Sequence, residues 1–334
     1  MSTRRHFIES TAFGALALST PAVAVAQAQP ANLRVIFFGV ASNLPVWCAI
    51  SKGFFARENL TVTTEITPGS QYMFEQLSVG NYQIAVTAFD NVVAYDEGQG
   101  AVQLPNNDFV AFLGGDNGML SLLCRADLKT YGDLRGETLA VDALQTGFTF
   151  VLRRMMQAAG LGPNDYKLVA AGGTPKRYEG LVGGLYAATL LTAPFDLQAE
   201  QKGCHKIGTA TDFTGHYQAY AGVTRKAWAA SNGDVLVRYI RGYLAALRWL
   251  YDPRNKDATI AILTTDAKVP PDVAPQVYAE AINRESGITP NGAIDLAGVK
   301  SVLALRREYG LPKKTLADPN KYIDERYYRM ATRR

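Results

Sequence analysis

Residues 69–82 read GSQYMFEQLSVGNY, and residues 173–186 read GTPKRYEGLVGGLY. At this offset of 104 residues the two segments share their glycine turns, and a glutamate, a leucine and a tyrosine also recur at matching positions. Two ordinary helix-and-strand units could converge on the glycines, because tight turns favour that residue. Such geometry requires neither the glutamate nor the tyrosine, so the repeat predicts two equivalent α/β lobes.

Each repeated segment is followed by a buried strand and then by a similar loop. One loop spans residues 87–90 and the other spans residues 192–196, and both finish with phenylalanine and aspartate. In open α/β sheets, ligands bind beyond the carboxyl ends of the strands. We therefore expect Phe89-Asp90 and Phe195-Asp196 to contact one ligand from opposite sides of a cleft.

The rest of the chain alternates short β-branched runs with longer amphipathic segments and becomes mainly helical after residue 224. This order predicts an α/β protein with two lobes, each a mostly parallel sheet flanked by helices, and a helical C-terminal region. One helix is predicted over residues 49–58. The predicted first lobe comprises residues 31–116 and 219–334, which include the C-terminal helices, and the predicted second lobe comprises residues 117–218.

The N-terminus resembles a twin-arginine export signal. Arg4 and Arg5 precede a weakly apolar stretch over residues 12–26, and Ala26-Gln27-Ala28 provides the small residues that signal peptidase accepts. The stretch is too short and too polar to anchor the chain in a bilayer, which requires about 20 apolar residues. Residues 1–28 are therefore predicted to be a cleaved signal peptide that directs the mature protein to the periplasm.

The composition limits the classes of partner. The 334 residues are 48% apolar, and 34 basic residues against 30 acidic ones give a formal net charge of +4. The basic residues are scattered, which argues against a nucleic-acid surface. Three cysteines lie far apart without metal-ligand spacing, so we expect neither a metal nor a cofactor. Beyond the N-terminus no apolar run is long enough to span a membrane, so a soluble protein with a small-molecule partner is predicted.

Several short motifs stand in a characteristic order and spacing along residues 31–310. They are Lys52-Gly53-Phe54-Phe55, Leu77-Ser78-Val79-Gly80, Asp133-Leu134-Arg135-Gly136, Val237-Arg238-Tyr239-Ile240-Arg241-Gly242-Tyr243 and Trp249-Leu250-Tyr251-Asp252-Pro253. Each motif alone is weak, but the set resembles the nitrate, sulfonate, taurine and thiamine-pyrimidine precursor-binding branch of the type 2 periplasmic solute-binding proteins.

This resemblance implies two lobes joined by crossovers near residues 114–116 and 216–219, with a hinge that closes on the ligand. It also implies delivery of the ligand to the permease subunits of an ABC uptake system. The implied ligand is a small organic molecule such as a sulfonate, a pyrimidine or a related nitrogen- or oxygen-bearing compound. A sensor that presents its ligand-bound form to a receptor is the alternative.

The candidate ligand-binding residues share positions at predicted strand ends and helix starts, where backbone N–H groups and aromatic rings face the cleft. They are Ser42, Asn43, Leu44, Gly69, Ser70, Tyr72, Phe89, Asp90, Asp116, Thr146, Gly147, Phe148, Phe195 and Asp196. Simple helix capping accounts equally well for the serines, threonines and aspartates taken one at a time. Taken together, the acidic residues favour a ligand with an amine, an amidine-like nitrogen or several hydroxyls over a bare inorganic anion.

No catalytic role is predicted. The exported part contains two histidines, His205 and His216, and it lacks GxSxG, HExxH, P-loop and GxGxxG motifs. Cys48, near the start of the first helix, is the candidate nucleophile, because a helix N-terminus lowers the pKa of a thiol. A fold-related enzyme, thiaminase-like or pyrimidine-synthesising, is therefore the weaker alternative.

Replacing Arg4 and Arg5 together with lysine is expected to block export, because the twin-arginine route reads paired guanidinium groups rather than charge alone. Immunoblots of periplasmic and cytoplasmic fractions measure the effect. Arg254→Lys, an exchange of the same kind far along the chain, is the control. Normal export of the double-lysine protein would contradict the assignment.

Overall fold

The computed structural model describes residues 29–333, so the predicted signal peptide lies outside the described residues. The described chain contains ten strands, which are β1 Ala31–Phe37, β2 Leu60–Ile66, β3 Ile84–Ala88, β4 Phe109–Gly114, β5 Ser121–Cys124, β6 Thr138–Val141, β7 Lys167–Ala170, β8 Ala188–Leu191, β9 His205–Thr209 and β10 Tyr220–Arg225. Its α-helices are α1 Leu44–Ser51, α2 Phe54–Arg57, α3 Ser70–Ser78, α4 Phe89–Asp96, α5 Gly147–Ala158, α6 Thr174–Val182, α7 Phe195–Gln201, α8 Thr211–Thr214, α9 Lys226–Ser231, α10 Gly233–Leu250, α11 Lys256–Thr265, α12 Ala274–Ala281, α13 Leu296–Tyr309 and α14 Arg326–Thr332.

The strands form two five-stranded sheets of the same plan. The first sheet has the order β2-β1-β3-β10-β4, and the second has the order β7-β6-β8-β5-β9. In each sheet four strands share one direction, while β10 and β5 run antiparallel to both of their neighbours. The predicted mostly parallel sheets with flanking helices are therefore confirmed. The first lobe is defined here as the first sheet with α1–α4 and α9–α14, and the second lobe as the second sheet with α5–α8.

The direction of β5 and β10 follows from how the chain crosses between the lobes. The chain leaves β4 at Gly114 and starts β5 at Ser121, so it enters the second sheet at the edge where the parallel strands of that sheet end. The return from β9 to β10 over residues 210–219 has the same arrangement. A strand that starts where its neighbours end must run antiparallel to them. Both crossovers consequently lie at the carboxyl edges of the sheets.

The two crossovers are hydrogen-bonded to each other. The Gly115 N–H donates to the Tyr220 carbonyl over 2.9 Å, and the Ala219 N–H donates to the Asp116 carbonyl over 3.1 Å. A Cβ at position 115 would lie 2.8 Å from the Tyr220 oxygen, so only glycine permits this approach. The paired crossovers form the connection about which the two lobes meet.

The repeated segments occupy equivalent places in the two lobes. α3 and α6 lead into β3 and β8, and each of these strands is the middle strand of its sheet. On α3 the ring of Phe74 stacks on Tyr95 with the centroids 4.4 Å apart. Its counterpart on α6, Tyr178, packs against Phe195 at 5.6 Å. The two repeated segments therefore form equivalent helix-and-strand units in the two lobes, as the repeat predicted.

The helix predicted over residues 49–58 is two helices. α1 begins earlier, at Leu44, and carries Pro45 in its first turn, where a missing N–H costs nothing. Gly53 then takes a φ of 68° in the left-handed region, and α2 begins at Phe54. Glycine accepts this conformation without steric strain, so the chain turns there instead of continuing one helix.

The C-terminal helices bind the lobes together. α10 packs on α1, α2 and α14 of the first lobe, whereas α13 packs on both α4 of the first lobe and α5 of the second. Among the helices of residues 29–333, none has the length and apolar content needed to cross a membrane.

Candidate functional site

A small cavity of about 20 Å³ lies between the carboxyl ends of the parallel strands of the two lobes. We call it the cleft cavity. The first lobe contributes Phe38, Ala88, Asn91 and Tyr220, and the second lobe contributes Asp142, Thr146, Gly147, Phe148, Thr174 and Arg177. Since both lobes supply its walls, an occupant would bridge them.

The second-lobe wall brings several positive groups together beside the Asp142 carboxylate. The N-terminal ends of α5, at Gly147, and of α6, at Thr174, both line the cavity, and helix N-termini present unpaired N–H groups and partial positive charge. The Arg177 guanidinium lies beside them and is 4% exposed. The wall therefore suits an anionic or carbonyl group.

Arg177 is buried without a counter-ion. Its Nε donates to the Gly172 carbonyl over 3.1 Å, its Nη2 donates to Thr174 Oγ1 over 3.2 Å, and its Nη1 donates to Thr189 Oγ1 and to the Leu190 carbonyl. All of these acceptors are neutral. Burial lowers the pKa of Arg177, and the charge of nearby Asp142 opposes that shift. The described residues place no carboxylate in ion-pair contact with this guanidinium, which is one of the groups that line the cavity.

Asp142 holds the two lobes together at the edge of the cavity. Its Oδ2 accepts a hydrogen bond from the Ser70 hydroxyl of the first lobe over 2.6 Å. Ser70 is one of the predicted site residues, and a Cβ at its neighbour Gly69 would lie 3.7 Å from the same carboxylate. Ser70 and Gly69 therefore border the cavity through Asp142 and do not line it.

Of the predicted site residues, Thr146, Gly147 and Phe148 line the cleft cavity. The Phe148 ring lies 6.2 Å from the Tyr220 ring and 6.5 Å from the Tyr217 ring. Phe148 and Tyr220 line the cavity from different lobes, so aromatic rings stand on both of its sides. The start of α5 thus lines the cavity, and its role in ligand binding stays a prediction.

Phe89 and Asp90 do not face the cavity, which corrects the expectation for the first exit loop. The Phe89 side chain is fully buried in the core of the first lobe. The Asp90 carboxylate accepts hydrogen bonds from Arg306 Nε, over 2.6 Å, and from Arg306 Nη2, and both residues are buried. The carboxylate is thus neutralised by the chain itself.

The second exit loop also points elsewhere. Phe195 packs on Tyr178, and Asp196 is buried where it accepts from the Ser121 hydroxyl over 3.1 Å and lies 3.9 Å from Lys206 Nζ. Burial raises the pKa of Asp196, and Lys206 opposes that shift. Asp196 lines a separate opening beside Met119, so the two exit loops do not meet at one point.

The remaining predicted residues surround the cavity at a distance. Ser42, Asn43 and Leu44 are buried, and Asn43 Nδ2 donates to the Phe38 carbonyl over 2.6 Å, behind the cavity wall. The Tyr72 hydroxyl is 3.3 Å from a Glu65 oxygen, on the outer side of α3. These positions support the wall or lie outside it.

Asp116 lies buried in the first crossover. Its Oδ1 accepts from the Gly118 and Met119 N–H groups, and its Oδ2 has no hydrogen-bond partner among the described residues. Burial raises its pKa, which the neighbouring Ser42 hydroxyl and the two N–H groups oppose. The side chain holds the turn of the crossover and is not part of the cavity wall.

The sequence reasoning missed Arg177, although the repeat contained a signal for it. Arg177 occupies the position of Met73 in the first copy, and Met73 is a fully buried residue of α3. A basic residue at a position that the other lobe keeps apolar and buried indicates a buried charge, which usually has a function. The sequence held no comparable signal for Asn91, Phe38 or Tyr220.

Cys48 is not an activated nucleophile. It lies one turn inside α1 and is fully buried, and burial raises the pKa of its thiol to about 12. The expectation of a helix N-terminus acting on this thiol is therefore corrected. Cys124 and Cys204 are also buried and free. Among residues 29–333, no group of histidine, cysteine or carboxylate side chains is arranged to hold a metal ion.

A model of the NMT1-like family matches residues 26–264. No curated protein sequence matches the chain significantly. Among solved structures, the chain is similar to the periplasmic nitrate-binding protein NrtA from Synechocystis PCC 6803, with a TM-score of 0.76 and 16% identity over 90% of this chain and 88% of that one. These matches confirm the resemblance that the motif order indicated.

Two further solved structures have the same fold. The ligand-binding component of an ABC-type import system from Staphylococcus aureus has a TM-score of 0.76 and 12% identity, over 91% of this chain and all (100%) of that one. The alkanesulfonate-binding protein SsuA from Xanthomonas axonopodis has a TM-score of 0.71 and 15% identity, over 89% and 99%. The desulfurization enzyme DSZB shares the fold as well, with a TM-score of 0.63 and 13% identity, over 90% and 98%. The fold therefore hosts both binding proteins and an enzyme.

Asp90→Asn is expected to reduce the free energy of unfolding by about 3–5 kcal/mol, because it leaves the buried Arg306 without its counter-ion. Urea unfolding of the ligand-free protein measures the loss. Asp127→Asn is the control, since Asp127 is 64% exposed in its pair with Arg125 and should cost less than about 1 kcal/mol. Equal losses for both variants would contradict a structural role for Asp90.

Phe89→Ala is expected to lower the stability of the ligand-free protein by about 3–5 kcal/mol, because it opens a hole in a packed core. Phe148→Ala should cost clearly less, since this ring is half-buried at the cavity. Melting curves of the two variants test the difference. If Phe148→Ala melts as early as Phe89→Ala, the Phe148 ring belongs to the core and not to the site.

Proposed function

Because the chain belongs to the NMT1-like family, we propose that its two lobes open to admit a small organic solute and close on it at the cleft cavity, as the binding component of an ABC-type uptake system. The observation that carries this proposal is the buried Arg177 guanidinium, which lines an interlobe cavity without an ion-pair partner. An unpaired buried charge costs several kcal/mol, and an occupant with a complementary group offsets that cost. A ligand that pairs with Arg177 therefore makes the occupied protein more stable than the empty one.

The solute presents an anionic or carbonyl oxygen to Arg177 and to the N-terminal ends of α5 and α6. Two structurally similar proteins are described as binding nitrate and alkanesulfonates, and both of these ligands are anions. Asn91 of the first lobe and Asp142 of the second also line the cavity, and their side-chain oxygens suit an N–H or O–H group of the solute. A sulfonate, a carboxylate or a pyrimidine-like molecule with such groups matches both kinds of lining group.

The earlier inference of an amine-bearing solute from four acidic residues becomes weaker. Asp90 is neutralised by Arg306 and Asp196 lies near Lys206, so neither requires a cationic ligand. Asp142 is the acidic residue that lines the cavity. One carboxylate beside one guanidinium favours a solute with a single negative charge and a hydrogen-bond donor.

The proposed cellular role is capture in the periplasm after export, followed by delivery to membrane permease subunits. The two lobes proposed to close around the solute are residues 31–116 with 219–334 and residues 117–218, joined at the paired crossovers. Presentation of the ligand-bound protein to a receptor, which would use the same cleft, is the second candidate function. Catalysis is the third candidate because DSZB, an enzyme, shares the fold. The Cys48 thiol does not support catalysis, since it is buried and does not line the cleft cavity.

A thermal-shift screen of sulfonates, carboxylates, pyrimidines and amines tests the proposal, because a ligand at 100 times its Kd adds about 2.7 kcal/mol of stability. Hits are expected among the anions. Arg177→Met, which installs the residue of the equivalent first-lobe position, should weaken binding of a hit by about tenfold or more, since hydrogen bonds to charged groups contribute about 1.5–3 kcal/mol. Isothermal titration measures the change.

Arg135→Met is the matched control, because Arg135 is on the same lobe with a side chain 59% exposed and outside the cavity. Its affinity should equal that of the unmodified protein. Unchanged affinity of Arg177→Met, with a ligand-free melting temperature close to that of the control, would remove Arg177 from the site. A screen in which no small molecule shifts the melting temperature would count against solute binding itself.

A further inference from the structure

A second opening lies between the two lobes, beside the first crossover. We call it the side opening, and its volume is about 250 Å³. Its lining includes Gly118 and Met119 of the crossover, Asp196 and Lys206 of the second lobe, and Glu280 on α12 of the first lobe. Because its walls belong to different lobes, they move apart when the lobes open.

The second-lobe wall of the side opening carries one cation between two carboxylates. Lys206 Nζ lies 3.9 Å from an Asp196 oxygen and 3.4 Å from a Glu200 oxygen. Asp196 is buried, whereas Glu200 is exposed. With both carboxylates ionised, this wall has a net negative charge. It therefore repels a further carboxylate that approaches from the first lobe.

Glu280 is that further carboxylate. Its side chain is partly buried on α12, and it has neither an ion-pair nor a hydrogen-bond partner among residues 29–333. Burial, and then the charge of Asp196, raise the pKa of Glu280 to about 7; Lys206 opposes that shift, and Glu200 adds to it. The carboxyl group therefore lies where the closed lobes disfavour its ionised form.

The other segments that pack against α12 do not alter this balance. They are α11 and residues 41–43. Residues 41–43 carry no charge, and α12 has no charged residue besides Glu280. The charged side chains on α11, Lys256 and Asp257, do not contribute to the raised pKa of Glu280. The charges that act on Glu280 thus come from the second lobe.

Opening of the lobes reverses both causes of the raised pKa. The structure is a closed arrangement, in which the Ser70 hydroxyl of one lobe donates to the Asp142 carboxylate of the other over 2.6 Å. When the lobes part, Glu280 is hydrated and separated from Asp196, so its pKa returns toward the ordinary value of about 4.3. Between the two pKa values the closed form holds a proton that the open form has released. This advantage of the closed form is complete below the lower pKa and is lost as the pH rises through about 7.

We propose that Glu280 is a pH-sensitive gate of lobe closure, which favours the closed form when it is protonated and, when it is ionised, repels the Asp196 wall and favours the open form. This inference rests on the proposed function, in which the lobes open and close around a solute. Because the closed form holds the solute, its affinity follows the closed fraction. The protein then holds its solute more tightly in acid than in alkali.

The closed fraction is measured on the ligand-free protein by single-molecule energy transfer. Val79→Cys and Leu185→Cys supply one labelling site on each lobe, since both positions are exposed and lie in equivalent turns before the middle strands. The native cysteines are buried. With pH-insensitive dyes, the ratio of closed to open molecules should fall about tenfold or more from pH 5.5 to 8.0, because each unit of difference between the two pKa values is a tenfold change.

Two variants of the labelled protein locate the gate. Glu280→Gln should abolish the pH dependence and keep the ratio near its acid value, because the amide is neutral throughout. Asp196→Asn should reduce the dependence without abolishing it, since the burial of Glu280 remains. Glu285→Gln is the matched control, because Glu285 is exposed just after α12 and does not line the side opening. Melting curves at pH 8.0 check that each variant is folded.

The outcomes distinguish the gate from the proposed function. A ratio that is constant between pH 5.5 and 8.0 overturns the gate and leaves solute binding intact. A Glu280→Gln protein with the same pH dependence as the Glu285→Gln control also overturns it, because another group then titrates. Unchanged dependence in Asp196→Asn overturns the repulsion between the two walls. If every molecule shows one state at each pH and with every hit of the thermal-shift screen, the lobes do not move, and the closing motion of the proposed function fails with the gate.

Discussion

The relative placement of the two lobes depends on one buried guanidinium, that of Arg306. It donates to both oxygens of Asp90 in the first lobe and, over 2.8 Å, to the Gln145 carbonyl in the second. Its plane also lies over the Phe150 ring of α5, at 4.9 Å. Because Gln145 directly precedes Thr146 and Gly147, the same residue that joins the lobes also positions the start of α5 at the cavity.

Gly147 shows how close this junction is. A Cβ at position 147 would lie 2.4 Å from the Asp90 Cβ, so a glycine is required where α5 of one lobe meets α4 of the other. The approach brings the N-terminal end of α5 against a carboxylate that Arg306 already neutralises. The partial charge of the helix is therefore left to act on the cavity. The ion pair between Asp90 and Arg306 thus both joins α13 to the two lobes and neutralises the carboxylate next to the start of α5.

The two lobes share a plan but not a charge distribution. The first lobe keeps Met73 in its core at the position where the second lobe has Arg177, and the aromatic groups Phe38 and Tyr220 come from the first lobe. The second lobe therefore contributes both charged side chains of the lining together with the Phe148 ring, whereas the first lobe contributes two rings and no charge. Two lobes of the same plan thus give the cleft two different sides.

The sequence by itself determined the architecture. The recurrence of glycine, glutamate, leucine and tyrosine at one offset predicted two equivalent units, because local helix and turn geometry is encoded within about fifteen residues. It also predicted that the start of α5 faces the cleft, since helices in such α/β units start beyond the carboxyl ends of the strands. Only the tertiary structure decided the partners of the charged residues. Arg306 lies 216 positions from Asp90, and the attraction between them depends on how α13 packs across both lobes. That packing neutralised Asp90, and Arg177 and Asp142 are the charged residues that line the cavity, because burial and ion pairing are set by contacts between segments far apart in the chain.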